Sequence, residues 1–509
     1  MRIFTHSCCW LLLLLVDAPL YAHVRLPALF ADHMVIQRDE PVHVWGDADA
    51  GETVTVEFRG AQQTTTTDTF GRWSVQLPPG RAGGRFVLTV RGTNTIKLED
   101  VLVGDVWVAS GQSNMGFSLR EARDAQQEIA SANLPAVRLL NTKQRYADYP
   151  QEDLAVTMPW SVCTPDSAAG FSAVAFFFAR ELARREHVPI GIIESAWGGT
   201  PAEAWTSLPA LSRDASLMPV FSAWAAMAEA EPQTLLSEAR EREEIKEKAG
   251  AVEDENLQVP WHPVFNAWAP AALYNGMIAP LTHFPIRGVI WYQGESNTDA
   301  LRYPAYARLF QTLIQDWRTA WSEGDFPFLF VQIANYRTGA QDHWPEVREA
   351  QLESLTLVNT AMAVTIDIGD PGNIHPANKQ DVGLRLALAA RAIVYKEPVE
   401  YSGPLYRAMS RDGQSLRLYF DHAEGGLIAK SGSLQGFEVA GTDGTFFPAT
   451  AVIDGASVVL TNPNVPEPVQ ARYAWSDDPP CSLFNRAGLP ASPFRASQLN
   501  SNLQIFLGK

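Results

Sequence analysis

The stretch Asp105–Met115, DVWVASGQSNM, is a run of strand-forming residues that ends abruptly in Gly111-Gln112-Ser113-Asn114. Glycine and asparagine are common at strand ends because turns require their backbone freedom. A serine at this point is therefore either a turn residue or a nucleophile held at the edge of a sheet. The pattern departs from the G-x-S-x-G nucleophile elbow, because Met115 stands where the second glycine would be.

Apolar strands and amphipathic helices alternate around this stretch, from Val101 to about Tyr395. Such alternation is typical of an α/β protein whose parallel sheet is covered by helices on both faces. In these sheets, ligands bind beyond the carboxyl ends of the strands. The expected strands are Asp105–Ser110, Val137–Leu140, Ile190–Glu194, Gly288–Tyr292, Pro327–Ala334 and Met362–Ile368, and the expected helices are Phe171–Arg185, Tyr306–Trp321, Glu346–Leu357 and Pro376–Ile393.

Two β-rich segments flank this region. Residues 23–100 carry short alternating strands such as Thr53–Phe58 between turn residues, and residues 396–509 return to the same texture. We therefore expect an α/β domain at 101–395 between an N-terminal and a C-terminal β domain. Residues 208–268 interrupt the alternation, and their charged run after Pro232 predicts a solvated helical insertion.

The N-terminus predicts export. Arg2 precedes the apolar run Trp10–Val16, and Tyr21-Ala22 is a suitable cleavage end, so residues 1–22 are interpreted as a signal peptide of a secreted or periplasmic protein. The mature chain keeps only Cys163 and Cys481. They could pair in an oxidising compartment, but their separation in different predicted domains argues against it.

Composition narrows the class of partner. A net charge of −17 argues against nucleic acid and anionic membranes, which both require basic surface. No segment after the N-terminus reaches the roughly 18 apolar residues that a membrane-spanning helix needs. The spacing of Cys and His predicts no metal site, and no glycine-rich phosphate loop is present.

His375 gives Ser113 a potential base. It follows the expected strand Met362–Ile368, and Pro376 is placed to open the next helix at its favoured first position. His375 should therefore lie at the same sheet edge as Ser113. A serine hydroxyl needs a base to take its proton, and histidine titrates in the range suited to that role. The structural alternative is a histidine that only caps a helix.

Two further strand ends could stabilise a developing oxyanion. The backbone N–H groups of Gly198-Gly199 follow the strand Ile190–Glu194, and Asn297 offers a side-chain amide after Gly288–Tyr292. Asn297 is as well explained as a turn residue. Glu203 completes a helix capping box that starts at Thr200, so we expect it to be structural.

Four blocks, taken together, resemble the SGNH hydrolases, and in particular the sialate O-acetylesterase branch of carbohydrate acetylesterases. They are GDVWVASGQSNM, SAWGGTPAEAW, GVIWYQGESN and DIGDPGNIHPANKQDVGLRLA. LPALFADHMVIQRDEPVHVWG near the start, and RYAW and LFNRAGLPASPFR near the end, extend the resemblance over nearly the whole mature chain. The resemblance implies an α/β/α sandwich with a parallel sheet, flanked by β-sandwich-type structure. It also implies removal of acetyl groups from sugar hydroxyls without metal or cofactor.

The resemblance assigns roles to individual residues. Ser113 would be the nucleophile and His375 the base, while the N–H groups of Ser113 and Gly199 and the side chain of Asn297 would hold the oxyanion. Two positions depart from the family pattern. Gly372 stands where SGNH enzymes commonly have an Asp, three residues before the His. The group that orients His375 would then be Glu295, which we favour, or Asp370, or a backbone carbonyl.

Gly116 is the second departure, because the family often has Glu after Gln-Ser-Asn-Met. The absence of a side chain at Gly116 predicts a wider pocket or a different sugar preference. The motifs indicate the acetyl ester and not the sugar, so an acetyl xylan or xyloglucan esterase is the alternative to a sialate enzyme. A sialate enzyme should offer a cation to the substrate carboxylate, and Arg348 is a candidate.

Two other functions fit less well. A non-catalytic glycan-binding protein is favoured by the missing Asp and by Gly116, and is opposed by the joint presence of Ser113, His375, Gly199 and Asn297. A lipase is disfavoured because nothing in the sequence indicates an amphipathic lid or a groove for a long acyl chain.

Overall fold

A computed structural model describes residues 23–249, 262–339, 342–430 and 432–497. The expected signal peptide, residues 1–22, lies outside these ranges. The first part of the chain is β-rich, as expected, and its strands are β1 (Val35–Gln37), β2 (Val42–Asp47), β3 (Thr53–Phe58), β4 (Ala61–Thr66), β5 (Arg72–Leu77) and β6 (Gly83–Arg91).

The central sheet has the strand order β13-β12-β11-β7-β10-β8-β9. All neighbours in this order are parallel except β8 and β9, so the expected parallel sheet carries one antiparallel edge strand that the sequence did not predict. The strands are β7 (Thr95–Gly111), β8 (Leu134–Thr142), β9 (Val156–Cys163), β10 (Ile190–Ala196), β11 (Gly288–Tyr292), β12 (Phe328–Val331) and β13 (Thr360–Ala363).

Helices cover both faces of this sheet, which is the predicted α/β/α arrangement. Val106 and Val108 of β7 join the core on one face with residues of α6, whereas Trp107 and Ala109 join the core on the other face with residues of α3 and α8. The helices are α1 (Ala125–Ala130), α2 (Pro165–Ala169), α3 (Ala173–Glu186), α4 (Leu208–Ser212), α5 (Met218–Ala249), α6 (Tyr303–Trp321), α7 (Trp344–Glu353) and α8 (Lys379–Ile393).

Strand β7 belongs to two sheets. Its first residues pair antiparallel with β6, and its later residues pair parallel with β1, β10 and β11. The boundary predicted at residues 100 and 101 therefore falls inside a continuous strand. The N-terminal β segment and the α/β core share a backbone element.

The described residues of the insertion predicted at 208–268 are mostly helical, but the long helix begins earlier than predicted. Helix α5 begins at Met218, and Pro232 lies inside it. Packing stabilises the helical turns that precede Pro232, because Val220 is buried and Trp224 stacks on Phe265 with ring centroids 4.3 Å apart. Within the described ranges, no helix has the length and apolar character needed to cross a bilayer.

The C-terminal part folds into antiparallel sheets, as its alternating texture predicts. Two four-stranded sheets have the orders β14-β15-β20-β19 and β18-β17-β21-β23, and β16 pairs with β22. The strands are β14 (Leu405–Asp412), β15 (Ser415–Asp421), β16 (Leu427–Ala429), β17 (Phe437–Ala440), β18 (Phe446–Pro448), β19 (Thr450–Asp454), β20 (Ser457–Thr461), β21 (Gln470–Tyr473), β22 (Leu483–Asn485) and β23 (Phe494–Ser497).

Cys163 and Cys481 are unpaired. Cys163 is buried at the end of β9, and Cys481 is half-buried in the C-terminal part. Burial raises the pKa of each thiol to about 12, so neither is an activated nucleophile.

Candidate active site

Three adjacent strand ends build the site. Strand β7 lies between β10 and β11, so the turn that follows it is flanked by the turns after its two neighbours. Gly111 ends β7 with a φ of +132°, and a Cβ there would stand 2.2 Å from the carbonyl oxygen of Tyr292. Only glycine fits this close approach. The chain turns at once, and Ser113 is left half-buried at the sheet edge.

The structure brings Ser113 and His375 into direct contact. The Ser113 Oγ and His375 Nε2 atoms are 2.7 Å apart, the separation expected of a nucleophile and its general base. His375 lies in the loop after β13, at the far edge of the sheet, and this loop carries it back to the end of β7. Helix α8 begins at Lys379 with Asn378 as its N-cap, so the predicted helix start at Pro376 is wrong by three residues.

The surroundings of His375 favour its neutral form. Burial lowers the pKa of His375, the charge of Lys379 lowers it further, and exposed Glu121 acts in the opposite direction. The backbone N–H of His375 donates to Asn373 Oδ1 over 2.9 Å, which fixes the loop. A neutral imidazole can accept the serine proton, so this environment suits a general base.

Neither predicted carboxylate reaches His375. Glu295 accepts a hydrogen bond from Asn114 Nδ2 over 2.6 Å, and Asp370 accepts one from the backbone N–H of Gly372 over 2.8 Å. In the described part of the chain, neither carboxylate forms a hydrogen bond with the His375 ring. The sequence could not reveal that Glu295 misses the His375 ring. Glu295 lies next to the site in the fold, but its hydrogen bond is with Asn114.

Glu295 belongs instead to a buried cluster beneath the turn. Asn114 donates to Glu295 and also to the backbone carbonyl of Ile374, over 3.0 Å, and it accepts a hydrogen bond from Lys379 Nζ. Burial raises the pKa of Glu295 and lowers that of Lys379 to about 7. Since Asn114 follows Ser113 and Ile374 precedes His375, this cluster connects the turn that carries Ser113 to the loop that carries His375.

Of the two glycines after β10, it is Gly198 and not Gly199 that packs against the turn carrying Ser113. A Cβ on Gly198 would lie 3.2 Å from the Cβ of Ser113, and Gly198 lines the cavity in front of the serine. Gly199 follows with a φ of +69°, in the left-handed region that favours glycine. Two glycines therefore let the backbone after β10 approach the nucleophile.

Asn297 is fully buried and does not line the cavity. Its Nδ2 donates to Glu203 Oε2 over 2.8 Å, and its Oδ1 accepts from the backbone N–H of Ala202 over 2.9 Å. Glu203 also accepts from Arg302 Nε over 3.0 Å. The expectation that Glu203 is structural is confirmed, although it forms a buried ion pair and does not cap a helix, since Pro201 is the N-cap there.

A cavity of about 700 Å³ opens in front of Ser113 and His375. One wall carries Trp197, whose ring centroid is 6.3 Å from that of Tyr146, and such aromatic surfaces are suited to packing against sugar rings. Phe117 adds a second aromatic side chain to the lining. The other lining residues are polar or small: Gly116, Glu121, Asn141, Thr142, Lys143, Gln144, Thr157, Gly170, Glu194, Ala196 and Gly198.

Arg348 does not lie in this cavity, so its proposed role as a cation for a substrate carboxylate is wrong. It is fully buried on α7, and its guanidinium donates to the backbone carbonyls of Ile333, Ala334, Ser476 and Asp477. These bonds join the α/β core to the C-terminal part. An arginine in a sequence gives no sign of whether its partners are a ligand or buried carbonyls.

Sequence reasoning missed Glu194 and Lys379. Glu194 follows the apolar run Ile190–Ile193 and ends in the cavity, which is the same signal that singled out Ser113. Lys379 gave no such signal, because a lysine at a helix start is usually solvated, and only the fold shows that it is enclosed.

Comparison with known proteins finds a family match over the region that carries the site. A family model described as "Carbohydrate esterase, sialic acid-specific acetylesterase" matches residues 103–219 and 259–393, which carry all four motif blocks. The chain is similar to the sialate O-acetylesterases of rat and human, at 31% identity in each case. Each alignment covers 93% of this chain, and it covers 94% of the rat protein and 92% of the human protein.

A solved structure extends the similarity to the whole fold. A carbohydrate acetylesterase from Xanthomonas citri is 38% identical to this chain and superposes with a TM-score of 0.81, over 94% of this chain and all of the other. Its match includes the flanking β-rich parts as well as the α/β core. By these matches, and with Ser113 and His375 in contact at the sheet edge, the chain belongs to the sialate O-acetylesterase family of carbohydrate esterases and is a carboxylic ester hydrolase.

Proposed function

We propose that this protein removes O-acetyl groups from sugar hydroxyls through an acetyl-serine intermediate formed on Ser113. The contact of 2.7 Å between Ser113 Oγ and His375 Nε2, at the floor of a polar cavity, carries this proposal. The mixed lining of Trp197 and hydrogen-bonding side chains suits a sugar better than a long acyl chain.

The reaction proceeds by two acyl transfers. Ser113 Oγ attacks the acetyl carbonyl carbon while His375 Nε2 accepts its proton. The tetrahedral intermediate then collapses, the bond from the acetyl carbon to the sugar oxygen breaks, and His375 protonates the leaving oxygen. Water attacks the acetyl-serine with its proton passing to His375, and acetate leaves as Ser113 takes that proton back.

The backbone N–H groups of Ser113 and of the Gly198-Gly199 turn are proposed to hold the oxyanion. The close packing of Gly198 against Ser113 supports this assignment. The amide of Asn297 is engaged with Glu203, so we assign Asn297 to the wall behind the site. Glu295 is assigned to positioning the base's loop through Asn114.

The nucleophile is tested by Ser113→Ala. We expect this variant to fold with an unchanged melting temperature and to lose at least a thousandfold in kcat on 4-nitrophenyl acetate. Mass spectrometry of the quenched unaltered enzyme should show an added acetyl group on the peptide that contains Ser113. Ser296→Ala is a matched control, because Ser296 follows the neighbouring strand in the same Gly-x-Ser pattern. Full turnover by Ser113→Ala would refute the assignment.

The sugar is tested by acetate release from O-acetylated sialic acid and from acetylated xylo-oligosaccharides. The mammalian relatives are named sialate O-acetylesterases, which favours the first substrate. Among the described residues that line the cavity there is no buried lysine or arginine to bind a substrate carboxylate, which favours the second. Release from neither would contradict the proposal as a carbohydrate esterase.

Export is proposed from the N-terminal sequence alone. We propose that the protein is secreted or periplasmic and that its signal peptide is cleaved after Ala22. N-terminal sequencing of protein recovered outside the cytoplasm should begin at His23, and an intact Met1 would contradict the proposal.

A further inference from the structure

Glu194 is a buried carboxylate at the end of β10 that lines the cavity in front of Ser113. Only 6% of its surface is exposed. Its Oε2 atom accepts a hydrogen bond from the backbone N–H of Ser172 over 2.9 Å and a second from Asn141 Nδ2 over 3.3 Å. These two bonds come from different elements, the start of α3 and strand β8, so the carboxylate is held in a defined orientation.

The other oxygen of Glu194, Oε1, lies near Gly116, which also lines the cavity. Neither hydrogen bond uses Oε1, which lies 3.9 Å from the point where a Cβ of residue 116 would stand. Residue 116 is glycine and is exposed, so no side chain covers Oε1 there. The geometry therefore leaves one oriented acceptor for a molecule that enters the cavity.

We propose that Glu194 Oε1 binds a free hydroxyl of the acetylated sugar, and that Glu194 thereby selects uncharged sugars. This inference rests on the proposed function, because it names the class of sugar that the same cavity accepts. Carboxylates bind sugar hydroxyls well, since hydrogen bonds to charged groups are stronger than neutral ones.

The charges around the cavity support an uncharged sugar. Glu121 lines the cavity together with Glu194, and the lysine that lines it, Lys143, is exposed. A sugar that carries its own carboxylate would meet repulsion from Glu194 unless it turned toward Lys143. Burial raises the pKa of Glu194 to about 7, so the group is an ionised acceptor above that pH, and the test is made there.

The test compares sugar esters with an ester that has no sugar. For Glu194→Gln, we expect the ratio of kcat/KM on acetylated xylo-oligosaccharides to that on 4-nitrophenyl acetate to fall about tenfold, through KM. The amide oxygen keeps the bonds to Ser172 and Asn141, and the cavity then meets an N–H₂ donor in place of the acceptor. With O-acetylated sialic acid the same ratio should rise or stay constant, because the repulsion is removed.

Gly116→Ala tests the same contact without altering Glu194. The added methyl group fits, since its nearest neighbour would be Ala196 Cβ at 3.6 Å, and it would stand in front of Oε1. We expect the xylo-oligosaccharide ratio to fall again. Glu323→Gln is the matched control, because burial also raises the pKa of Glu323 to about 7 but this residue lies outside the cavity. Its ratio should not change.

The proposal is overturned if Glu194→Gln leaves the ratio unchanged, or if all esters slow equally, which would indicate a structural role. It is also overturned if the ratio for O-acetylated sialic acid falls as much as that for the xylo-oligosaccharides. Failure of the proposed function is recognised separately in the unaltered protein, as hydrolysis of 4-nitrophenyl acetate without acetate release from any sugar.

Discussion

Lys379 is a lysine with no exposed surface, enclosed directly beneath the turn that carries the nucleophile. Its Nζ donates to Asn114 Oδ1 and lies 4.7 Å from the ring centroid of Phe117 and 5.4 Å from that of Tyr292. Its charge is one of the causes that lower the pKa of His375. A single buried ammonium thus connects the packing of the turn with the protonation of the base.

Replacing Lys379 by methionine should move the pH profile. As the proposed base, His375 works when it is neutral, so activity should be present above its pKa and be lost as pH falls through it. The lowered pKa of His375 keeps the enzyme active below the ordinary histidine value of about 6.5. Without the Lys379 charge this pKa rises, and the acid limb of kcat/KM on 4-nitrophenyl acetate should shift to higher pH.

Two controls belong to this measurement. Lys396→Met removes an exposed lysine outside the cavity and should leave the limb in place. At a pH above the acid limbs of both the unaltered protein and the variant, Lys379→Met should regain most of its kcat. This result would distinguish a changed pKa from misfolding. A limb at the original pH would show that Lys379 acts on packing alone.

At the scale of elements, a buried ion pair joins the turn after β10 to the start of α6. Glu203 is fully enclosed, and burial raises its pKa while Arg302 and Asn297 lower it. Removing one partner of a buried pair costs about 3–5 kcal/mol, because the other charge is left uncompensated. The position of the Gly198-Gly199 turn therefore depends on side chains that never meet the substrate.

Asn297→Ala distinguishes the two roles of this residue. We expect a loss of about 1–3 kcal/mol in the free energy of unfolding, because Glu203 loses a hydrogen-bond donor, together with less than a tenfold fall in kcat. Denaturant unfolding and turnover of 4-nitrophenyl acetate measure the two effects. Removal of a true oxyanion donor costs roughly 10²–10³ in kcat. A loss of that size with unchanged stability would return Asn297 to the oxyanion hole.

The sequence predicted secondary-structure elements better than it predicted which side chains contact one another. Gly288–Tyr292 is a continuous apolar run, and the predicted bounds of this strand are those of β11. The edge strand β9 was missed, since its half-exposed residues show no buried run. The proximity of Ser113 and His375 could be predicted because each follows a strand of the same parallel sheet, where topology alone brings residues together. The contacts of Glu295 and Asn297 escaped prediction, because a side chain's partner depends on packing between distant segments.

At the scale of the whole molecule, the fold is held without a covalent cross-link between Cys163 and Cys481. A disulfide would stabilise by restricting the unfolded chain, and an unpaired thiol cannot. The melting temperature should therefore be the same with and without a thiol reductant, as measured by differential scanning calorimetry. A fall of several degrees under reducing conditions would show that these cysteines pair.

The N-terminal β segment should not be separable from the α/β core. A protein that starts at residue 101 lacks the first residues of β7 together with its partners β1 and β6. We expect it to be insoluble or inactive, because β7, the strand that leads to Ser113, loses its pairing with β1 and β6. Soluble expression and turnover of 4-nitrophenyl acetate measure this. A soluble, active fragment would contradict it.

The shared strand also orders events during synthesis. The ribosome releases β7 soon after β1 and β6, but its neighbours in the central sheet, β10 and β11, emerge much later. Until then, the nascent protein presents an apolar strand with open edges, the kind of surface that invites aggregation or chaperone capture. The continuity of β7 that holds Ser113 in the folded protein therefore exposes the nascent chain to aggregation until β10 and β11 pair with the edges of the strand.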